Sequence, residues 1–206
     1  MKIIAHRGND GVHKDNSLEA IINSLSKDYV DGVEFDIRMT SDFKFVVCHD
    51  PFYRGLLIRE TRLKKLQKRG LVSLEETLIN VNNNKILLIE IKEESKKYKI
   101  LVAKLYRILK KYNLNYYIFS FNYDLMEYFK EKYPNMKSGI LIGIKKNLSK
   151  INNSFDFNAV NYRYADKTPL KESFIWTVNN LKEFEKVKDW QNIITDKPLF
   201  FYNIKN

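Results

Sequence analysis

At 206 residues with 44% hydrophobic side chains, the chain is long enough to bury a sizeable core and too apolar for disorder, so one domain spanning residues 1–206 is expected. No apolar run approaches the roughly 20 residues that cross a bilayer, and the single cysteine, Cys48, excludes an internal disulfide and suits a reducing compartment. The net charge of +11 arises from 36 Lys and Arg against 25 Asp and Glu. The lysines are dispersed rather than blocked, so they read as solvated helix faces. The first strand begins at Lys2 with no leader ahead of it, and a cytoplasmic protein is expected.

In chain order, Lys2-Ile3-Ile4-Ala5 is a short apolar strand with turn residues Asn9, Asp10 and Gly11 behind it. Asp15, Asn16 and Ser17 are all good helix caps, and Leu18, Ile21, Ile22 and Leu25 follow at helical spacing. Gly32 opens a strand carrying Glu34 and Asp36. Residues 52–72 show no clear period. Ser73-Leu74-Glu75-Glu76 is a capping box that starts a helix to about Val81, with a break at Asn82-Asn83-Asn84. Ile86 to Ile91 is an apolar strand, and Tyr98, Leu101, Leu105, Ile108, Leu109 and Tyr112 form the stripe of a long helix. Strands follow at Tyr116 to Phe121, Ile140 to Ile142, Ala159 to Asn161, Phe174 to Val178 and Asn192 to Thr195. Helices carry Leu125, Met126 and Phe129, then Leu181, Phe184 and Val187, and Pro198 opens a last one. Without the returning arm of a hairpin at 46–49 the strands number eight, which is the pattern of a small, trimmed (β/α)8 TIM barrel. Residues 143–157 and 162–172 leave little room for full helices.

The chemistry concentrates at strand ends. Glu34 and Asp36 lie two apart on one strand, so they share a face. Carboxylates packed that closely repel unless a cation lies between them, and oxygen ligands suit one divalent cation, Mg2+ or Ca2+. Glu90, at the end of the apolar strand 86–91, supplies a third carboxylate; pairing with Lys92 alone is its plainer role. The segment between Asp36 and Val46 is too short for a crossover helix, so it forms an antiparallel hairpin. A turn centred between Ser41 and Asp42 sets Glu34 opposite His49, with Cys48 turned away as an apolar filler. His6 ends the neighbouring strand. Arg7 and Lys92 bring positive charge for an anionic substrate, and Trp176 and Phe121 read as walls of the pocket or as core. His13 reads as a loop residue.

Ala5-His6-Arg7-Gly8, Glu34-Phe35-Asp36 and His49-Asp50 together resemble the signature of the glycerophosphodiester phosphodiesterase family, within the PLC-like phosphodiesterases. Ile89-Glu90-Ile91-Lys92, Ser120-Phe121, Trp176-Thr177-Val178-Asn179 and Thr195-Asp196-Lys197-Pro198 extend the likeness along most of the chain. The resemblance implies a barrel whose hairpin arm carries the second catalytic histidine. It implies metal-assisted hydrolysis of a small-molecule phosphodiester to glycerol 3-phosphate and an alcohol, with His6 and His49 as acid and base. The nucleophile it implies is the adjacent glycerol hydroxyl, giving a cyclic phosphate that water opens. Cleavage of lysophospholipid head groups is a close alternative. A basic nucleic-acid-binding protein on a decayed barrel is the alternative of another class; no helix-turn-helix or zinc-finger spacing supports it, and no specific nucleic-acid partner is expected.

The chain departs from the family pattern at two places. Lys14-Asp15-Asn16-Ser17 stands where Pro-Glu-Asn-Thr is usual, so Asp15 is the candidate stand-in for the glutamate. Phe43 stands where the hairpin turn usually has glycine. A side chain there resists positive φ, so a different turn is expected.

Overall fold

Apolar runs and capped amphipathic segments alternate as strand and helix in the computed structural model, which describes residues 1–81, 84–92, 98–151, 154–168 and 172–205. The chain opens with β1 (Ile3–Ala5), α1 (Leu18–Leu25) and β2 (Gly32–Met39). Ser17 caps α1, its side chain accepting from the Ala20 N–H at 3.1 Å. The returning arm is β3 (Phe45–Val47), followed by the small hairpin β4 (Phe52–Tyr53) and β5 (Leu56–Leu57) and by α2 (Leu63–Gln67). Helix α3 (Leu74–Asn80) starts at the Ser73 cap, which accepts from the Glu76 N–H as the capping box predicts. Asn82 and Asn83 of the predicted break lie outside the described residues.

The alternation resumes with β6 (Ile86–Ile91), α4 (Tyr98–Leu109), β7 (Asn115–Ser120), α5 (Tyr123–Lys132) and β8 (Ser138–Ile142). After β9 (Phe157–Asn161) come β10 (Ser173–Trp176), α6 (Leu181–Phe184), β11 (Asn192–Thr195) and α7 (Pro198–Lys205). Two short 3-10 segments, Lys145–Lys150 and Tyr162–Lys167, occupy the links too short for helices. No helix among the described residues is long and apolar enough to cross a membrane.

Eight parallel strands close a barrel in the order β1, β2, β6, β7, β8, β9, β10, β11, and β11 returns to β1. Strand alternation divides the apolar residues into two bodies. Ile4, Leu88, Tyr117, Phe119, Phe157, Phe174 and Ile194 fill the barrel, with the Tyr117, Phe157 and Phe174 rings 5.3–5.5 Å apart in tilted and edge-on contacts. Ile3, Val33, Phe35, Ile89 and Ile118 face outward against Leu101, Leu105, Phe129 and other helix residues. A satellite cluster of Val46, Ile58, Leu66 and Leu71 supports the stretch from β3 to α3. The inner plug ends below the C-terminal strand ends, and there the polar site begins.

The hairpin forms as expected but its register differs by one residue. Ile37 pairs with Val47, Arg38 with Val46 and Met39 with Phe45, so the turn centres on Asp42. Phe43 adopts φ 58°, taking the left-handed conformation that glycine would usually supply. The expectation that a side chain at this position would resist positive φ is therefore not met. Continued to position 49, the ladder would set His49 opposite Phe35, not Glu34. Instead β3 ends at Val47, and the chain turns.

Candidate active site

Glu34, Asp36 and Glu90 stand together at the mouth because β2 and β6 are paired with Asp36 beside Glu90. They are 3%, 1% and 6% exposed, and one oxygen from each lies within 4.8 Å of the others. Burial this deep penalises charge, so each carboxylate needs compensation. Lys92 Nζ is 3.1 Å from Asp36 Oδ1 and 2.7 Å from Glu90 Oε1. Arg7 Nε is 3.6 Å from Asp36 Oδ2. Two cations against three carboxylates leave the cluster one positive charge short. Burial, then the Asp36 charge, pushes both Glu34 and Glu90 well above the usual carboxylate range. Three buried carboxylates that repel one another, with one positive charge too few to balance them, fit a hard cation such as Mg2+ or Ca2+.

Local structure fixes these groups. The turn after β1 places Arg7 at φ 52° and Gly8 at φ 67°; a Cβ on Gly8 would lie 2.9 Å from the Ile21 backbone. In this turn the Arg7 N–H donates to Glu34 Oε2 at 2.9 Å. Asn16, itself at φ 59°, donates from Nδ2 to Asp36 Oδ2 at 2.8 Å and accepts from the Asp36 N–H at 3.0 Å.

Each histidine of the site turns Nδ1 to an aspartate. His6 Nδ1 is 2.7 Å from Asp196 Oδ1, and His49 Nδ1 is 2.8 Å from Asp50 Oδ1. His6 Nε2 lies 3.9 Å from Glu34 Oε2. Burial opposes charge on His6, but the Asp196 hydrogen bond and the Glu34 carboxylate outweigh it, and the ring titrates above its ordinary value. Asn179 holds Asp196 in turn: its Nδ2 donates to Asp196 Oδ2 at 2.6 Å and its Oδ1 accepts the Asp196 N–H at 2.8 Å. His49 reaches the pocket through Arg38, whose Nε and Nη2 donate to the His49 carbonyl at 2.9 and 2.6 Å and whose Nη1 donates to the Lys92 carbonyl at 3.3 Å.

The resulting pocket, ≈ 160 Å³, brings together His6, Arg7, Glu34, Asp36, His49, Glu90, Lys92, Phe121 and Trp176. One side is charged; Phe119, Leu141 and Ile194 join Phe121 and Trp176 on the other. The Phe121 and Trp176 rings meet edge-on at 5.9 Å, and the Trp176 indole N–H has no acceptor within the described structure. Asp15 does not enter this pocket. Its Oδ1 accepts from Asn9 Nδ2 at 3.2 Å and it lines a neighbouring cavity, while Asn16 points inward in its place. His13 binds Asp10 in the loop, as a loop residue should. Cys48 packs beside the satellite cluster. Asp196, Asn179, Asn16 and Arg38 were not singled out from sequence. Asp196 and Asn179 do fall in two of the runs that carried the family resemblance.

The family model of the glycerophosphoryl diester phosphodiesterases matches residues 6–171, from His6 through all three carboxylates and His49. The chain belongs to this family. A glycerophosphodiester phosphodiesterase of Caldanaerobacter subterraneus is 24% identical over 98% of this chain and 96% of its own length. The crystal structure of a glycerophosphodiester phosphodiesterase from Thermotoga maritima is 26% identical, covers 98% of this chain and 97% of its own, and superposes with a TM-score of 0.79. A phosphodiesterase of Oleispira antarctica, solved in complex with the product sn-glycerol-3-phosphate, shares the fold at a TM-score of 0.83 and 18% identity, covering 100% of this chain and 97% of its own. The family's fold is therefore present over the whole described barrel.

Proposed function

We propose that this chain hydrolyses glycerophosphodiesters to glycerol 3-phosphate and an alcohol, using one divalent cation and two histidines. The observation that carries this reading is the meeting of two aspartate-oriented histidines with three buried carboxylates in one pocket of a member of this family. The product bound to the Oleispira antarctica neighbour supports glycerol 3-phosphate as a product here.

Glu34, Asp36 and Glu90 would hold Mg2+ or Ca2+, and such an ion, when bound, stabilises negative charge on phosphoryl oxygens. Arg7 and Lys92 add positive charge for the same oxygens. Trp176 and Phe121 cover the carbon skeleton of the substrate. His6, with Nδ1 tied to Asp196, takes the proton of the neighbouring glycerol hydroxyl at Nε2. That oxygen bonds to phosphorus as the bond to the alcohol breaks, leaving a cyclic phosphate. His49 lines both this pocket and the adjoining cavity, so it gives its proton to the departing alcohol. In the second half His49 takes a proton from water, which opens the cyclic phosphate, and His6 returns its proton to the glycerol oxygen.

The test is release of glycerol 3-phosphate from several glycerophosphodiesters by purified protein, with and without EDTA. Release that EDTA abolishes is expected. Full activity after exhaustive dialysis against EDTA would remove the cation from the mechanism, and no glycerol 3-phosphate from any diester would remove the reaction itself. The same chemistry on lysophospholipid head groups is the second reading. It is favoured by the apolar wall, whose Phe121 is 48% exposed.

A further inference from the structure

Beside the catalytic pocket lies a larger cavity, ≈ 560 Å³, and Arg7 and His49 line both. The loop before α1 forms one wall and the β4–β5 hairpin forms another. Its lining carries charges of both signs. Asp50 faces His49 at 2.8 Å and Asp15 accepts from Asn9 at 3.2 Å. Glu19 and Glu76 sit in the first turns of α1 and α3, where the helix N-terminus favours negative charge. Lys14 and Arg54 meet at one ring of this lining. Among the described residues neither has a carboxylate partner. Both lie against the same ring instead, with Lys14 Nζ 5.3 Å and Arg54 Cζ 5.6 Å from the Tyr53 centroid. Such contacts orient a cation without neutralising it.

Arg54 carries a second signal. With Gly55 it makes the two-residue tip between β4 and β5, at φ 46°. Asn, Asp or Gly fits that conformation with least strain. An arginine there works against the backbone preference, and its side chain projects to the cavity that receives what leaves His49.

We propose that this cavity holds the leaving alcohol and selects alcohols that carry an anionic group, which Lys14 and Arg54 bind across Tyr53. The proposal rests on the phosphodiesterase reading and assigns it a substrate class: diesters of glycerol 3-phosphate with a phosphorylated or carboxylated alcohol. Neutral and cationic alcohols would fit the volume but leave both cations unmatched.

The probe pair is glycerophosphoinositol 4-phosphate and glycerophosphoinositol, identical except for one phosphate on the alcohol. The wild-type protein is expected to favour the phosphorylated diester by about ten-fold or more in kcat/KM, the scale of charge-assisted binding to a phosphate. The ratio should fall to about one in the Lys14→Gln, Arg54→Asn double variant, asparagine being chosen because it tolerates the left-handed turn. It should persist in the Lys14→Arg, Arg54→Lys variant. A wild-type ratio near one, or a ratio the neutral double variant retains, overturns the proposal. Calorimetry with free inositol 4-phosphate against inositol examines the cavity without turnover. Binding of the phosphate that the double variant loses supports the site even if no diester is hydrolysed, a result that would sink the reaction alone. Equal affinity for the two alcohols overturns the site itself.

Discussion

Asp196 reaches His6 across nearly the whole chain, and Asn179 holds both oxygens' geometry by bonding one of them and the Asp196 amide. It touches no proposed reacting atom, so it positions rather than catalyses. Asp196→Asn should lower kcat by about 10²-fold with little change in KM, because general acid–base groups are each typically worth about 10²–10⁴; Asp196→Glu should recover part of the loss. Equal damage to KM would point to lost folding of the mouth instead. Glu34→Gln should bind Mg2+ or Ca2+ more weakly by calorimetry while its circular dichroism stays that of the wild type, since a carboxylate ligand is removed but the shape is kept. Asp10 makes a pH prediction. Burial works against its charge, but the hydrogen bonds from His13, and then from Asn23 and Val12, outweigh it and hold the carboxyl below its ordinary 3.8. A group depressed in the folded state lends stability that is complete above its unfolded value and disappears as pH falls through the folded one. The stability advantage of the wild type over Asp10→Asn should therefore hold near neutrality and shrink steadily below about pH 4 in denaturant titrations.

The β2–β3 hairpin is where sequence and structure part. Its existence, its antiparallel sense and its delivery of His49 to the carboxylates were legible, because the nine residues between Asp36 and Val46 are too few for a crossover helix. Its register was not, because the residues between the arms do not fix where the turn centres, and Phe43, expected to resist positive φ at the glycine position, adopts it. Phe43 is 45% exposed, so little packing answers that strain. Phe43→Gly should raise stability by about 0.5–1 kcal/mol, or a Tm shift of roughly 1–4 °C for a chain of this size; a fall in Tm would show that the ring packs on the mouth more than its exposure indicates. Other elements divide the same way. β6 runs from Ile86 to Ile91 as read, since an apolar run with charged ends has one solution. Residues 52–72 stayed unread because β4, β5 and α2 are too short to carry a period; what orders them is a non-local cluster with Val46. Asp15, read as the stand-in for the motif's glutamate, lies outside the pocket, while Asn16 at φ 59° bonds Asp36.

At the scale of the whole molecule, charge and chemistry are separate. The +11 is spread over the sequence, whereas the proposed reaction belongs to a few groups at one end of the barrel. His6→Ala or His49→Ala should remove about 10²–10⁴ of the rate and leave retention on heparin unchanged. Tight RNA or DNA binding with a steep salt slope, together with hydrolysis indifferent to both histidines, would contradict this separation. The barrel itself closes by joining β1 to β11, with Ile3 beside Ile193 and Ala5 beside Thr195. The same closure joins His6 to Asp196, a separation of 190 residues. During synthesis, at about 5–20 residues per second, His6 would wait roughly 10–40 s for its aspartate. A growing or truncated chain can hold Glu34, Asp36, Glu90 and His49 and still have an unoriented His6. Under the proposed mechanism the last strand would act as a timer, full activity waiting on the aspartate it delivers.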